Sequence, residues 1–353
     1  MFESEKELRW IRLLLTIIAI PVVVIILKTL KAIFIPLIFA IFLSFVFAPL
    51  NAYLSKRKIP MVVTFLILLV IIVAFFAVLS FIVYAASNSL ILGFPKYQEK
   101  FYQTTMETWQ GFQSWLTQTN LALGNLSLID ISKLLSPSGF SITKTVTDTM
   151  GTFMNVLWNL FLTLVFLMFI VGGSVKLEKR LTQVLSSDRK SQTISMLYNI
   201  QSQMQKYLFT KTLISLATAI VGAILMLFFG VDFVLVVGIM LFVLNFIPNI
   251  GSIIASLLPM LICLLQYGFG GRLVIFSVCM IGTQMLFGNI IEPKIQGNGL
   301  NLTPIMVLIS LIFWGWLWGI VGMIFAVPIT SGINIILKQL DEKNIISAII
   351  SGN

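Results

Sequence analysis

The sequence predicts an all-α polytopic membrane protein, with about 8 hydrophobic helical segments and broken or re-entrant helices in its C-terminal half. Three observations predict it. The chain has 353 residues, of which 58% are hydrophobic and only 10% charged; a soluble domain carries about a quarter charged residues. The apolar residues fall in blocks long enough to cross a hydrocarbon core, which takes about 20 helical residues. Blocks such as 61–83 are apolar on every face, whereas barrel strands alternate apolar and polar residues.

The first apolar run covers 10–28 and the second 31–50. Lys6, Arg9 and Arg12 precede the run Leu13 to Leu27, as in a signal peptide, but a second run follows at once after Lys28 and Lys31, with no small-residue cleavage site. A retained first helix is therefore expected. A third helix is expected over 60–86, then a polar stretch over 87–150 and a fourth helix over 151–173. A polar stretch over 174–209 follows, then a fifth helix over 210–229. Apolar pieces follow at 231–247, 250–267, 272–291, 303–318 and 319–338. This divides the chain into N-terminal helices (1–86), an extracytoplasmic amphipathic segment (87–150), the fourth helix with a cytoplasmic connector (151–209), a C-terminal core with broken helices (210–340) and a tail (341–353).

Charge sets the expected orientation. The net charge is +10, and its basic residues cluster in short segments between apolar blocks. Lys6, Arg9 and Arg12 lie on one side with Lys56, Arg57 and Lys58, with Lys176, Lys179, Arg180, Arg189, Lys190 and Lys206, and with Lys338 and Lys343. The 87–150 stretch carries Lys96, Lys100, Lys133 and Lys144, balanced by Glu99, Glu107, Asp130 and Asp148. The excess of basic residues marks the cytoplasmic side. Both termini are expected inside and 87–150 outside, in a multi-pass protein of the bacterial cytoplasmic (inner) membrane. Within 87–150, Phe101, Trp109, Phe112, Trp115 and Leu116 recur at helical spacing, and 188–209 also has an amphipathic pattern.

Several function classes find no support. Basic charge laid out by membrane topology gives no reason to expect a nucleic-acid partner. The chain contains no histidine, and no nucleophile–base pair, metal-ligand cluster or phosphate-binding loop stands out. The two cysteines, Cys263 and Cys279, lie inside apolar blocks and suggest no disulfide framework. No enzyme, cofactor or ATP-driven chemistry is expected.

The chemistry-bearing signals concentrate after Thr212. Between there and Leu337 the charged residues are Asp232, Arg272, Glu292 and Lys294, and ionisable groups at membrane depth are costly. Asp232 follows Phe229, Gly230 and Val231, and Arg272 follows Gly268, Gly270 and Gly271, so both are expected as turn residues. Glu292, beside Pro293 and Lys294, is open to two readings, an ion pair or a cation or proton site. The segment Leu244 to Gly251 carries Asn245, Pro248, Asn249 and Gly251 inside an apolar run too long for one untilted crossing. Proline and glycine interrupt a helix there, and unwound backbone at membrane depth needs protein or a water-filled cavity around it. The spacing Leu244, Asn245, Pro248 recurs as Leu300, Asn301, Pro304, a paired interruption of the kind that marks transporter sites. Gly315 and Gly319 allow close helix approach, while Trp314, Trp316 and Trp318 suggest a membrane interface.

At these residues the chain resembles the AI-2E (autoinducer-2 exporter) transporter family. The likeness rests on Asn245, Phe246, Ile247, Pro248, Ile250, Gly251 and Pro259. It continues through Asn289, Glu292, Pro293, Ile295, Gly297, Leu300, Leu302 and Pro304, and ends with Gly319, Gly322, Ala326, Val327 and Pro328. Family members often carry an aromatic residue where this chain has Asn249 and a proline where it has Ser252. The resemblance implies an oligomeric secondary transporter; some relatives are linked to autoinducer-2 export, others to exchange of sodium or lithium against protons. The expected function is export of a small polar solute by alternating access. Asn245, Pro248, Asn249, Gly251, Asn289, Asn301 and Pro304 would contact solute, and Glu292 would bind a coupling proton or monovalent cation. Expected partners are that solute, the coupling ion, the lipid bilayer and further copies of the chain. A sodium (lithium)/proton antiporter and a channel-like permease stay open.

Overall fold

A computed structural model describes residues 2–118, 158–173, 187–296 and 302–340. Residues 119–157, including the rest of the 87–150 stretch, residues 174–186, residues 297–301 with Gly297, Leu300 and Asn301, and residues 341–353 lie outside the described residues. Among the described residues every regular element is helical. In chain order these are α1 (Phe2–Thr29), α2 (Lys31–Lys56), α3 (Met61–Gln118), α4 (Trp158–Gly173), α5 (Ser187–Phe229), α6 (Val234–Leu244), α7 (Ile250–Tyr267), α8 (Gly271–Gln284) and α9 (Pro304–Leu340). A π-helical stretch, Met285–Ile291, and a last α-turn, Glu292–Gln296, continue α8. Among the described residues six helices are long and apolar enough to cross a membrane, so the chain is a polytopic all-α membrane protein.

Two helices are longer than the hydropathy blocks that announce them. The third apolar run continues as one helix to Gln118, and the amphipathic stretch before residue 210 joins the fifth apolar run in the 43-residue α5. Hydropathy marks where a helix enters an apolar environment, whereas backbone hydrogen bonding can continue across that boundary.

The chain divides into two compact units: Met1–Ile72 with Val156–Lys211 and Ile295–Asn353, and Val73–Asn155 with Thr212–Lys294. In the first unit α1 packs on α2 and α9, and α2 packs on α9. Lipid offers no hydrophobic drive between helices, so shape and ring contacts matter. The Phe42 ring stacks on Phe325 at 4.8 Å and Phe39 meets it edge-on at 4.7 Å, worth about 0.5–1.5 kcal/mol per pair beyond the area covered. The Gln205 amide donates to the Phe45 carbonyl at 2.8 Å, tying α5 to α2.

Helix α9 doubles back on itself. Gly319 has φ 67° and ψ −144°, a region open to glycine. A straight helix would separate residues 314 and 330 by about 24 Å, yet the Trp314 indole donates to the Thr330 hydroxyl at 3.1 Å. A Cβ on Gly322 would lie 1.9 Å from the Trp314 carbonyl oxygen, so the returning arm meets the outgoing one backbone to backbone. Of the three tryptophans expected at an interface, Trp316 is exposed, beneath the Lys28 ammonium at 4.0 Å. Trp314 and Trp318 are buried, and the Trp318 indole donates to the Leu27 carbonyl at 3.0 Å. The fold-back turns these two rings inward.

In the second unit α6, α7 and α8 pack in sequence around Val237, Leu241, Ala255, Cys263, Phe276 and Met280. A Cβ on Gly222 of α5 would meet Leu241 Cδ1 at 2.5 Å, so this glycine sets how closely α5 and α6 approach. Helix α6 has 11 residues and rises about 16 Å, too little for a ~30 Å core. It ends in a tight return into α7, where a Cβ on Gly251 would stand 1.8 Å from the Leu244 carbonyl oxygen. Both broken segments are thus hairpins closed by a glycine. Gly251→Ala and Gly322→Ala are each expected to cost about 1–3 kcal/mol by overpacking, seen as lowered melting midpoints of the purified protein. Gly238→Ala, where nothing lies within 4 Å of the added carbon, should leave the midpoint level or slightly raised; equal midpoints for all three would contradict the hairpin contacts.

Candidate functional site

The tip of the α6–α7 hairpin gathers four of the sequence-nominated residues, Asn245, Pro248, Asn249 and Gly251, in the second unit. Asn245 caps α6 at its C-terminus and is 4% exposed. Its amide donates to the hydroxyl of Ser215 on α5 at 3.3 Å, and Ser215 is itself buried. Pro248 is half-buried and takes no part as a donor, which suits a turn. The Ile250 N–H reaches the Pro248 carbonyl at 2.6 Å, and Asn249 between them has φ 58° and ψ −61°. That is a γ-turn of the rare, strained hand. A non-glycine residue held there costs of order 1–3 kcal/mol, and asparagine is among the residues that tolerate positive φ best. The Asn249 side chain is exposed, while its carbonyl accepts from the Ser252 hydroxyl at 2.8 Å and the Ser252 carbonyl from Ser256 at 2.7 Å.

The remaining nominated residues belong to other elements. Asn289 is exposed within the π-helical stretch, and half-buried Glu292 opens the α-turn that follows, both in the second unit. Pro304 belongs to the first unit. It is exposed as the first residue of α9, where its missing N–H costs nothing, and Thr303 before it accepts the Met306 N–H at 3.3 Å as a cap. Asn301 lies outside the described residues.

Asp232 and Arg272 occupy the ends of the second unit's helices. Asp232 is exposed in the turn between α5 and α6. Its carboxylate does not cap α6 but accepts the hydroxyl of Tyr97 from α3. The Asp232 N–H donates to Gln266 Oε1 at 3.1 Å, and the Gly230 carbonyl accepts both the Gln266 amide at 2.9 Å and the Tyr267 hydroxyl at 2.7 Å. The Arg272 guanidinium lies 4.0 Å from the Tyr267 ring centre. A Cβ on Gly93, one turn before Tyr97, would meet the Phe233 ring at 2.7 Å. This end of α3 is therefore seated on the α5–α6 turn by both a polar and a ring contact.

Two further polar residues escape sequence nomination. Lys211 of α5 is 4% exposed, the only buried charged residue among those described. A lysine four residues after Tyr207 in a run becoming apolar is a visible signal, though it also resembles the end of the basic connector. Gln284, at the junction of α8 with the π-helical stretch, has an amide whose nitrogen and oxygen are both shielded and make no hydrogen bond to any described residue. Among the described residues no group of three or more cysteine, aspartate or glutamate side chains comes together to hold a metal ion.

Comparison with known proteins follows the same line. The profile of the family described as AI-2E family transporter matches residues 14–342. The AI-2 transport protein TqsA of Escherichia coli K12 is 29% identical over 319 residues, covering 90% of this chain and 89% of that protein. A candidate transport protein of Borreliella burgdorferi is 30% identical over 334 residues, covering 92% and 86%, and one of Haemophilus influenzae is 28% identical over 342 residues, covering 95% and 94%.

The Tyr97 contact carries a pH dependence. Burial first, and then the hydrogen bond to Asp232 and its charge, push the Tyr97 phenol well above its ordinary value of 10.0. The folded protein holds this proton more tightly than the unfolded chain, so the stabilisation is complete below about pH 10 and is lost as the pH rises beyond it. Wild-type protein should therefore lose melting midpoint above pH 10 more steeply than Tyr97→Phe, whose midpoint starts a few degrees lower at neutral pH. Parallel pH profiles would show that the phenol is not held in this way.

Proposed function

This chain belongs to the AI-2E transporter family, and on that premise we propose that it is a secondary transporter exporting a small polar solute of the autoinducer-2 kind by alternating access. Its relatives are transport proteins rather than enzymes, and membrane transport is the chain's general function. The observation that carries the finer reading is the broken helix at Leu244–Gly251. An apolar chain keeps a strained γ-turn at Asn249, a buried Asn245–Ser215 pair and a short α6, where an unbroken helix would leave no backbone group exposed. Such interruptions supply polar backbone and amide groups that replace a solute's hydration. The sequence-nominated Asn289, Asn301 and Pro304 are proposed solute contacts in their own right, and Glu292 is the proposed binding group for the coupling proton or cation. Basic residues favour a bacterial cytoplasmic membrane protein with both termini inside, working with further copies of itself.

Antiport of sodium or lithium against protons is the second reading, favoured by Glu292, a half-buried acid beside the π-helical stretch. Asp232 is the weaker acid for that role, because it lies in an exposed turn and is engaged by Tyr97.

Reconstituted vesicles separate the readings. Labelled autoinducer-2 should move saturably with the wild-type protein, and Glu292→Gln should lower coupled flux by about tenfold or more while the protein still folds. Unchanged solute and proton movement in that variant would remove Glu292 from coupling. A pH-sensitive dye response to sodium or lithium without solute favours antiport, and ohmic current without saturation favours a channel-like permease.

A further inference from the structure

Gln284 lies in the apolar stretch Val274–Ile291, which offers little reason for an amide. Its neighbour Thr283 behaves as a hydroxyl in an apolar helix does, donating back to the Cys279 carbonyl at 2.8 Å. Gln284 makes no such bond: its Oε1 and Nε2 are both shielded, and neither bonds to any described residue. A primary amide brings two donors and an acceptor with two lone pairs, and covering them unpaired destabilises the fold. Leucine or methionine would fit an apolar helix without that cost.

A second, independent feature begins at the next residue. From Met285 to Ile291 the backbone is π-helical, and the Glu292 N–H bonds to the Phe287 carbonyl, five residues back. This wider winding is rare and is frequently found at functional sites. The costly amide and the costly backbone adjoin each other, on the segment that leads to Asn289 and Glu292. Two unfavourable features at one place are readily explained if an absent group completes them.

We propose that the Gln284 amide is a solute-contact group that selects small neutral molecules rich in hydroxyl or carbonyl groups. This deepens the transport reading and rests on it. A hydroxyl can donate to Oε1 and accept from Nε2 at once, so a polyhydroxylated solute satisfies both ends of the amide, which carries no charge to attract an ion. The amide is covered in this conformation; an alternating transporter uncovers such groups during its cycle and pairs them with solute.

The test compares purified full-length wild type with Gln284→Leu, which keeps bulk and removes the polar ends. Melting midpoints are measured alone and with autoinducer-2, ribose or glycerol, and autoinducer-2 flux is measured in vesicles. The expected result has three parts: Gln284→Leu alone melts at or above the wild-type midpoint, at least one probe raises the wild-type midpoint but not that of the variant, and flux falls by about tenfold or more. A ligand-free variant melting several degrees below wild type would show that the fold already satisfies the amide, and would overturn the proposal whatever the solute. So would a variant that keeps wild-type stabilisation by the probes, or a wild type unmoved by all of them. Failure of wild-type flux with probe stabilisation intact would count against transport and leave the contact assignment standing.

Discussion

Every interruption of a helix in a chain this apolar must pair its own backbone groups, because lipid offers no partner for them. The α6–α7 tip shows how that is met. The N–H groups of Asn245, Phe246, Ile247, Ile250 and Gly251 bond to the carbonyls of Leu241, Val243, Leu244, Pro248 and Ile247. Pro248 brings no N–H to satisfy, and the hydroxyls of Ser252 and Ser256 return to their own helix. One buried side-chain pair, Asn245 with Ser215, then ties the tip to α5. The tip exposes polar groups while most of its backbone donors are paired, and a strained turn persists because several such bonds determine it together.

The first unit meets the same requirement by different means. Its α9 hairpin needs only Gly319 at positive φ, and the indoles of Trp314 and Trp318 find a hydroxyl and a carbonyl. Indole rings are large enough to fill the angle between two arms and still carry one donor to an acceptor. The hairpins therefore differ in chemistry although each closes on a glycine: amides and hydroxyls at one, aromatic packing at the other.

Much of this was legible in the sequence because it is local. Apolar blocks mark the spans, and Pro248 and Gly251 mark the first break, while Gly319 was expected only to allow close helix approach and instead makes the turn of α9. The turn placement of Asp232 followed from the glycine beside it, whereas Arg272, expected in a turn, stands in the first turn of α8 because the helix begins at Gly271. What escaped was tertiary. The partner of Asp232 is Tyr97, 135 positions earlier, and no local pattern links them. The burial of Lys211, the shielding of the Gln284 amide and the inward turn of Trp314 and Trp318 depend on which neighbours cover them. The π-helical winding after Gln284 left no signature, since Met285–Ile291 is as apolar as an ordinary span.

The closure at Gly251 also limits how this site can diversify. No side chain fits where a Cβ would strike the Leu244 carbonyl, and Asn245 is enclosed against α5. Variation at the tip is thereby channelled toward Asn249, whose side chain is exposed, and toward half-buried Ser252. A lineage can exchange the chemistry offered there while the hairpin beneath it stays the same, so new specificities can arise with little change in the scaffold.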